Sequence, residues 1–155
     1  LQWLDNNYER LKMKLEKIRG KKEYVVKVFM DCRIAATELM NTDSELVKLQ
    51  EEVNISPKGK AFLLQSKVQS MLKKKMADRA DILFHSLFPC ITRTIGEYHI
   101  EKSKPMENDQ IMLLNLSCLA DASECEKLGE ALDQINCHPC LSVSFSGPWP
   151  PYSFV

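Results

Sequence analysis

Apolar residues over the first nineteen positions fall at alternating spacings of three and four: Leu1, Leu4, Tyr8, Leu11, Leu15 and Ile18. That spacing predicts a helix with an a/d seam, its charged residues Arg10, Lys12, Lys14, Glu16 and Lys17 lying off the seam. Gly20 follows as the residue that closes the helix. So short a seam makes a marginal coiled coil by itself, so it is expected to pack on the same chain or on a preceding region. Tyr24 to Met30 is β-branched and aromatic apart from Lys27, and predicts a strand. Residues 31–42 show no clear periodicity and read as irregular, or as a weak turn of helix at most.

Thr42-Asp43-Ser44-Glu45 has the form of a capping box that opens a short helix through about Val53. Ser56 and Pro57 then supply an N-cap and a first-turn proline for a long helix. Leu64, Val68, Met71, Leu72, Met76, Ala80, Leu83 and Leu87 recur along it as far as Phe88, where Pro89 is expected to end it. At ~1.5 Å per residue this helix is about 45–50 Å long. A small body does not need that length, so part of it is expected to project or to carry a basic face.

A weaker strand is expected within Ile91–Glu101, with Tyr98 and Ile100 as its apolar members, followed by a polar loop, Lys102–Asp109, containing Pro105. Ile111 to Ala120 is nearly continuously apolar and suits a central strand. Ser123 and Glu126 have capping-box spacing ahead of a helix that buries Leu128, Leu132 and Ile135. Leu141 to Ser146 alternates strictly and predicts a half-buried strand. After the leading helix the order is βαββαβ, an α+β ferredoxin-like antiparallel sheet with an inserted short helix and one long helix. That arrangement places its first and third strands centrally, and these are the two most apolar strands here.

The chain closes on Gly147-Pro148-Trp149-Pro150-Pro151-Tyr152-Ser153-Phe154-Val155. Three prolines in four positions fix φ and remove three donors, so neither a helix nor a central strand can continue. Trp149, Tyr152 and Phe154 load this stiff segment with apolar area, ~150–250 Å² each if buried. Two readings follow: a tail folded over its own core, or a tail whose aromatics dock on a partner or another domain. The chain thus divides into a linking helix (1–20), a ferredoxin-like body (21–146) and the tail (147–155).

Composition narrows the function. The 155 residues carry 21 Lys and Arg against 21 Asp and Glu, a balance that disfavours a strongly electrostatic partner such as bulk DNA. Basic residues gather from Arg10 to Lys27 and at Lys73-Lys74-Lys75, patterns that suit solvated helix faces. No apolar run is long enough to span a membrane. Cys32, Cys90, Cys118, Cys125, Cys137 and Cys140 read as reduced thiols of a cytoplasmic protein, because the apolar content suffices without disulfide staples.

Catalytic patterns are sparse. Cys137-His138-Pro139-Cys140 has C-x-x-C spacing, which supports redox chemistry where a helix N-terminus lowers a thiol pKa. Here it follows a helix, whose C-terminal dipole disfavours thiolate. As a zinc half-site it lacks a second pair of ligands. A structural turn is the plainer reading, with a small redox or metal-binding domain as the alternative function. No P-loop, G-x-G-x-x-G, G-x-S-x-G or H-E-x-x-H pattern occurs, and no catalytic, metal or cofactor-binding residues are assigned. The third strand offers no aromatic, Arg or Lys, which argues against RNA on the sheet. A ligand-sensing role has no identifiable pocket in the sequence.

The run GPWPPYSFV resembles the terminal motif of the gas vesicle protein F/L family (GvpL/GvpF). Two further stretches agree in order: Gly20-Lys21-Lys22-Glu23-Tyr24-Val25-Val26-Lys27-Val28 before the first strand, and Ser56-Pro57-Lys58-Gly59-Lys60-Ala61-Phe62-Leu63-Leu64 at the long helix. The resemblance implies a non-enzymatic accessory or assembly protein of gas vesicles, in the cytoplasm of a bacterium or archaeon. Implied partners are the major shell protein and other gas vesicle accessory proteins, with self-association open. Family members usually carry an additional N-terminal region, and a start at Leu1 suggests a fragment lacking it. Trp149, Tyr152 and Phe154 are the expected partner-binding residues.

Overall fold

The computed structural model describes residues 2–102 and 109–155. Its elements are α1 (Gln2–Ile18), β1 (Lys22–Asp31), α2 (Cys32–Thr42), α3 (Ser44–Ile55), α4 (Lys58–Thr92), β2 (Glu97–Ile100), β3 (Gln110–Ala120), α5 (Ala122–Asn136) and β4 (Leu141–Trp149). A 3₁₀ turn, Tyr152–Phe154, closes the chain. The four strands form one antiparallel sheet in the order β2-β3-β1-β4. This is the ferredoxin-like order, with the two apolar strands at its centre.

Strand alternation divides the sheet into two faces. Val26, Val28 and Met30 of β1 and Leu114, Leu116, Cys118 and Ala120 of β3 are buried with Met76 and Ile91 of α4 and Leu128, Leu132 and Ile135 of α5. This is the main core. Glu23, Val25 and Lys27 alternate with that set and lie on the opposite face, paired with Leu119, Ser117 and Asn115. A β-bulge between Val28 and Phe29 shifts the register and lets Leu113 add to the buried set. A second, smaller core gathers Leu46 and Leu49 of α3 with Val68 of α4. The N-terminal half of the long helix is therefore packed against the inserted helices.

Residues 31–42, read as irregular, form the full helix α2. Asp31 does double duty as the last strand residue and as N-cap, its Oδ1 accepting from the N–H groups of Arg33 and Ile34 at 2.8 and 3.1 Å. Ala35, fully buried, faces the core from this helix. The cap of α3 is Asp43, which accepts from Glu45 and Leu46; Thr42 instead donates to the Glu38 carbonyl. Ser56 ends α3, and Pro57 occupies the N-cap position of α4 without a side-chain bond. At α5 the capping box is Asp121 with Glu124, two residues ahead of the expected Ser123 and Glu126.

Pro89 does not stop α4, which runs on to Thr92. Continuing past it brings Ile91 to full burial in the main core. Burying such a side chain contributes about 1.5–3 kcal/mol, comparable with the cost of a proline inside a helix. Thr92 and Cys90 also donate to the carbonyls of Phe88 and Ser86 in that last turn. The strand expected within Ile91–Glu101 is shortened accordingly to Glu97–Ile100. Most of the loop predicted at Lys102–Asp109, with Pro105, lies outside the described residues.

Ion pairs tie α4 to the inserted helices. Lys75 Nζ meets Asp43 Oδ2 at 2.6 Å and Glu45 Oε2 at 2.8 Å, and Arg79 pairs with Glu38. The Lys75 bond, helped by the two backbone donors, holds the Asp43 carboxyl below its ordinary range; Asp43 and Glu45 raise the lysine in turn. A depressed carboxyl pKa gives stability that is present above the ordinary aspartate value and lost as pH falls through the folded value. The raised lysine contributes below its ordinary value and loses that contribution only as pH rises through its higher folded value. Melting temperature is thus expected to fall on acidification from about pH 5 to about pH 2. Asp43→Asn keeps the cap oxygen but not the charge, so its acid slope is expected to be shallower in parallel melting scans.

Candidate docking surface

Among the described residues β4 is an edge strand bonded only to β1, so prolines are tolerated in it and it extends beyond Ser146 to Trp149. The bend is made at Gly147, where φ is +133°. A Cβ there would stand 2.8 Å from Tyr24 Cδ1 and 2.9 Å from the Glu23 carbonyl oxygen. Only glycine satisfies both the dihedral and the close approach. Beyond the bend, Trp149 pairs with Glu23, and the 3₁₀ turn brings Ser153 back over β1.

Ser153 latches the tail. Its N–H donates to Glu23 Oε2 at 2.9 Å and its hydroxyl to Glu23 Oε1 at 2.6 Å. Glu23 is 6% exposed, so these bonds satisfy a carboxylate that would be costly to bury alone. Phe154, also 6% exposed, stacks on the His99 ring of β2 with centroids 4.6 Å apart. The tail therefore crosses the sheet face opposite the helices, from β4 over β1 to β2. Leu119, in the row between Glu23 and Glu97, is fully buried.

The three aromatics of the tail, for which both an inward fold and a partner contact were open, separate by this geometry. Phe154 is turned inward as the anchor, while Trp149 and Tyr152 are 52% and 81% exposed on the strap it secures. Val155 and Ile100 add exposed apolar surface at the chain end and on β2. What the residues alone did not reveal is the latch, since Glu23 and Ser153 are 130 positions apart. A groove of about 420 Å³ between α2 and α4, lined by Cys32, Ala36, Leu72, Met76, Ala77 and Ile111, was equally out of reach without α2.

Cys137 is exposed and Cys140 buried at the α5–β4 turn. Cys140 Sγ lies 3.3 Å from His138 Nδ1 and 3.8 Å from Arg79 Nη2. Burial raises its thiol pKa, and the Arg79 guanidinium opposes that rise. Cys118 is pushed up to about 12, chiefly by burial. Among the described residues no group of three or more His, Cys, Asp or Glu is placed to hold a metal ion. A thiol reagent near neutral pH is expected to modify Cys90 and Cys137 quickly and Cys118 and Cys140 only on unfolding. Mass mapping of the modified peptides checks this; fast modification of Cys118 would contradict the buried placement.

An α+β ferredoxin-like unit with two inserted helices and a latched aromatic strap is the class of protein these features define. The chain belongs to the gas vesicle synthesis protein GvpL/GvpF family, whose model matches residues 1–155. It is 27% identical to gas vesicle protein L of Haloferax mediterranei, over 99% of this chain and 49% of that protein. Gas vesicle protein L1 of Halobacterium salinarum is also 27% identical, over 98% of this chain and 56% of that one. The chain spans about half the length of the curated relatives it matches.

Two solved structures share the fold. The GvpF crystal structure from Anabaena superposes with a TM-score of 0.70 at 17% identity, covering 99% of this chain and 61% of that one. GvpF from Microcystis aeruginosa gives 0.54 at 18% identity, covering 99% and 62%. Among the described residues no helix is long and apolar enough to cross a membrane.

Proposed function

We propose that this chain is a non-enzymatic accessory protein of gas vesicle formation that binds the major shell protein, alongside other gas vesicle accessory proteins. The family match over residues 1–155 carries the reading. The location of the contact is suggested by the strap, where Trp149 and Tyr152 project from a segment already ordered by Glu23, Ser153 and Phe154. Pre-ordering matters because an aromatic held in place loses less entropy on binding than one on a free tail. In this reading residues 1–20 are a linking helix, 21–146 the body and 147–155 the docking segment, at work on the gas vesicle in the cytoplasm. Co-purification with the shell protein tests it. The chain is expected to carry shell protein with it and to lose it when Trp149 and Tyr152 are both alanine; no co-purification by the unaltered chain would overturn the reading.

A further inference from the structure

Two stretches far apart in the chain form one joint. Trp149 pairs with Glu23, and a Cβ at Gly147 would meet Tyr24 Cδ1 at 2.8 Å. At the centre of this joint is the Glu23 carboxylate. It is 6% exposed, and among the described residues it forms no ion pair. Both of its oxygens accept from a single residue, Ser153, one from the hydroxyl at 2.6 Å and one from the N–H at 2.9 Å.

Such a carboxylate resists partial release. Lifting Ser153 alone would leave a buried charge without donors, which is costly until water reaches it. Phe154 is the next residue and is itself buried, stacked on His99, so it has to lift with Ser153 for water to enter. The segment between the bend and the latch is too stiff to uncouple them. Pro150 and Pro151 have fixed φ. The Tyr152 N–H donates to the Pro150 carbonyl at 2.7 Å, and the Phe154 N–H to the Pro151 carbonyl at 3.2 Å. Residues 150–154 therefore move as one piece, pivoting after Trp149, which its pairing holds in β4.

We propose that this piece is a two-state strap with Glu23 as its catch. It closes or opens as a unit, and closing is what fixes the exposed Tyr152 ring for display. That display rests on the strap being the shell-protein contact; the catch does not.

The test is amide hydrogen exchange of the full chain, followed by NMR at Tyr152, Ser153 and Phe154. A strap that opens as a unit gives these amides one common opening constant, larger than that of amides at the centre of β1. Ser153→Ala is expected to raise all of them about tenfold, Glu23→Gln to act in the same direction, and Ser153→Thr, which keeps the hydroxyl, to leave them protected. Phe154→Ala is expected to raise the Ser153 rate as well, although it removes neither bond to Glu23. Rates graded toward the chain end, an opening constant equal to that of β1, or protection unmoved by Ser153→Ala would overturn the catch. Soluble shell protein near saturation is expected to slow these amides by one further common factor. Binding that leaves their exchange unchanged would overturn the gating of Tyr152. Absence of binding would overturn the docking reading and the gating with it, while the common rate still decides the catch.

Discussion

Gly147→Ala is expected to destabilise the chain by about 2–4 kcal/mol, more than substitutions at most surface positions. Two costs add. A side chain at φ +133° enters backbone territory that is essentially reserved for glycine. The new methyl also meets the Glu23 carbonyl oxygen at 2.9 Å, and a backbone atom of a central strand cannot swing aside as a side-chain tip can. Relief would require the strand to part from β1 near Glu23, which would release Ser153 and expose the carboxylate. Denaturant unfolding measures the loss. A change within about 0.5 kcal/mol would show that the bend relaxes freely.

Phe154→Ala is expected to cost about 2–4 kcal/mol, toward the lower part of what buried phenylalanines lose, because one side of the ring rests on the sheet edge strand. It removes the stack on His99 and uncovers part of the face that holds Leu119. Tyr152→Ala, two residues away and 81% exposed, is expected to change stability by no more than about 0.5 kcal/mol. The pair separates anchoring from presentation. Carboxypeptidase digestion under native conditions supplies a second readout, with faster release of the C-terminal residues from the Phe154 variant than from the Tyr152 variant. Equal stability losses at both positions would contradict the division of labour.

Most of the architecture was legible because alternating and helical periodicities are long and unambiguous in β1, β3, α4 and α5. The ferredoxin-like order followed from their sequence, and the burial of Leu128, Leu132 and Ile135 confirms the face read from their spacing. Helix α2 was missed because its cap, Asp31, is also the end of a strand, and its one fully buried residue is a small alanine. Ala35 and Leu39, four apart and following an aspartate, were the signal available. The two displaced caps share a feature: at 43 and 121 an aspartate stands near a hydroxyl residue, and it is the carboxylate that accepts from the first-turn N–H groups.

Pro89 shows the limit of a local rule. A proline near a helix end removes one bond, and a core position at Ile91 offsets it. The tail divides similarly. Its stiffness was written in the prolines, and its inward turn at Phe154 was one of two readings the residues allowed. The choice depends on Glu23 and His99, and nothing near the tail in sequence announces either. The seam of α1 was visible as periodicity, whereas the exposure of Tyr8 and Leu15 on it, beside half-buried Leu11 and Ile18, emerged only with the fold.

The measurement that bears most directly on the account is the affinity of the chain for a soluble form of the major shell protein, taken together with melting curves. It compares the unaltered chain with Trp149→Ala/Tyr152→Ala. The expected result is binding by the unaltered chain and at least about a tenfold loss in the variant, at nearly unchanged melting temperature, as for exposed aromatic hot spots. Equal binding by both would contradict the strap as the docking element and move the contact elsewhere on the molecule.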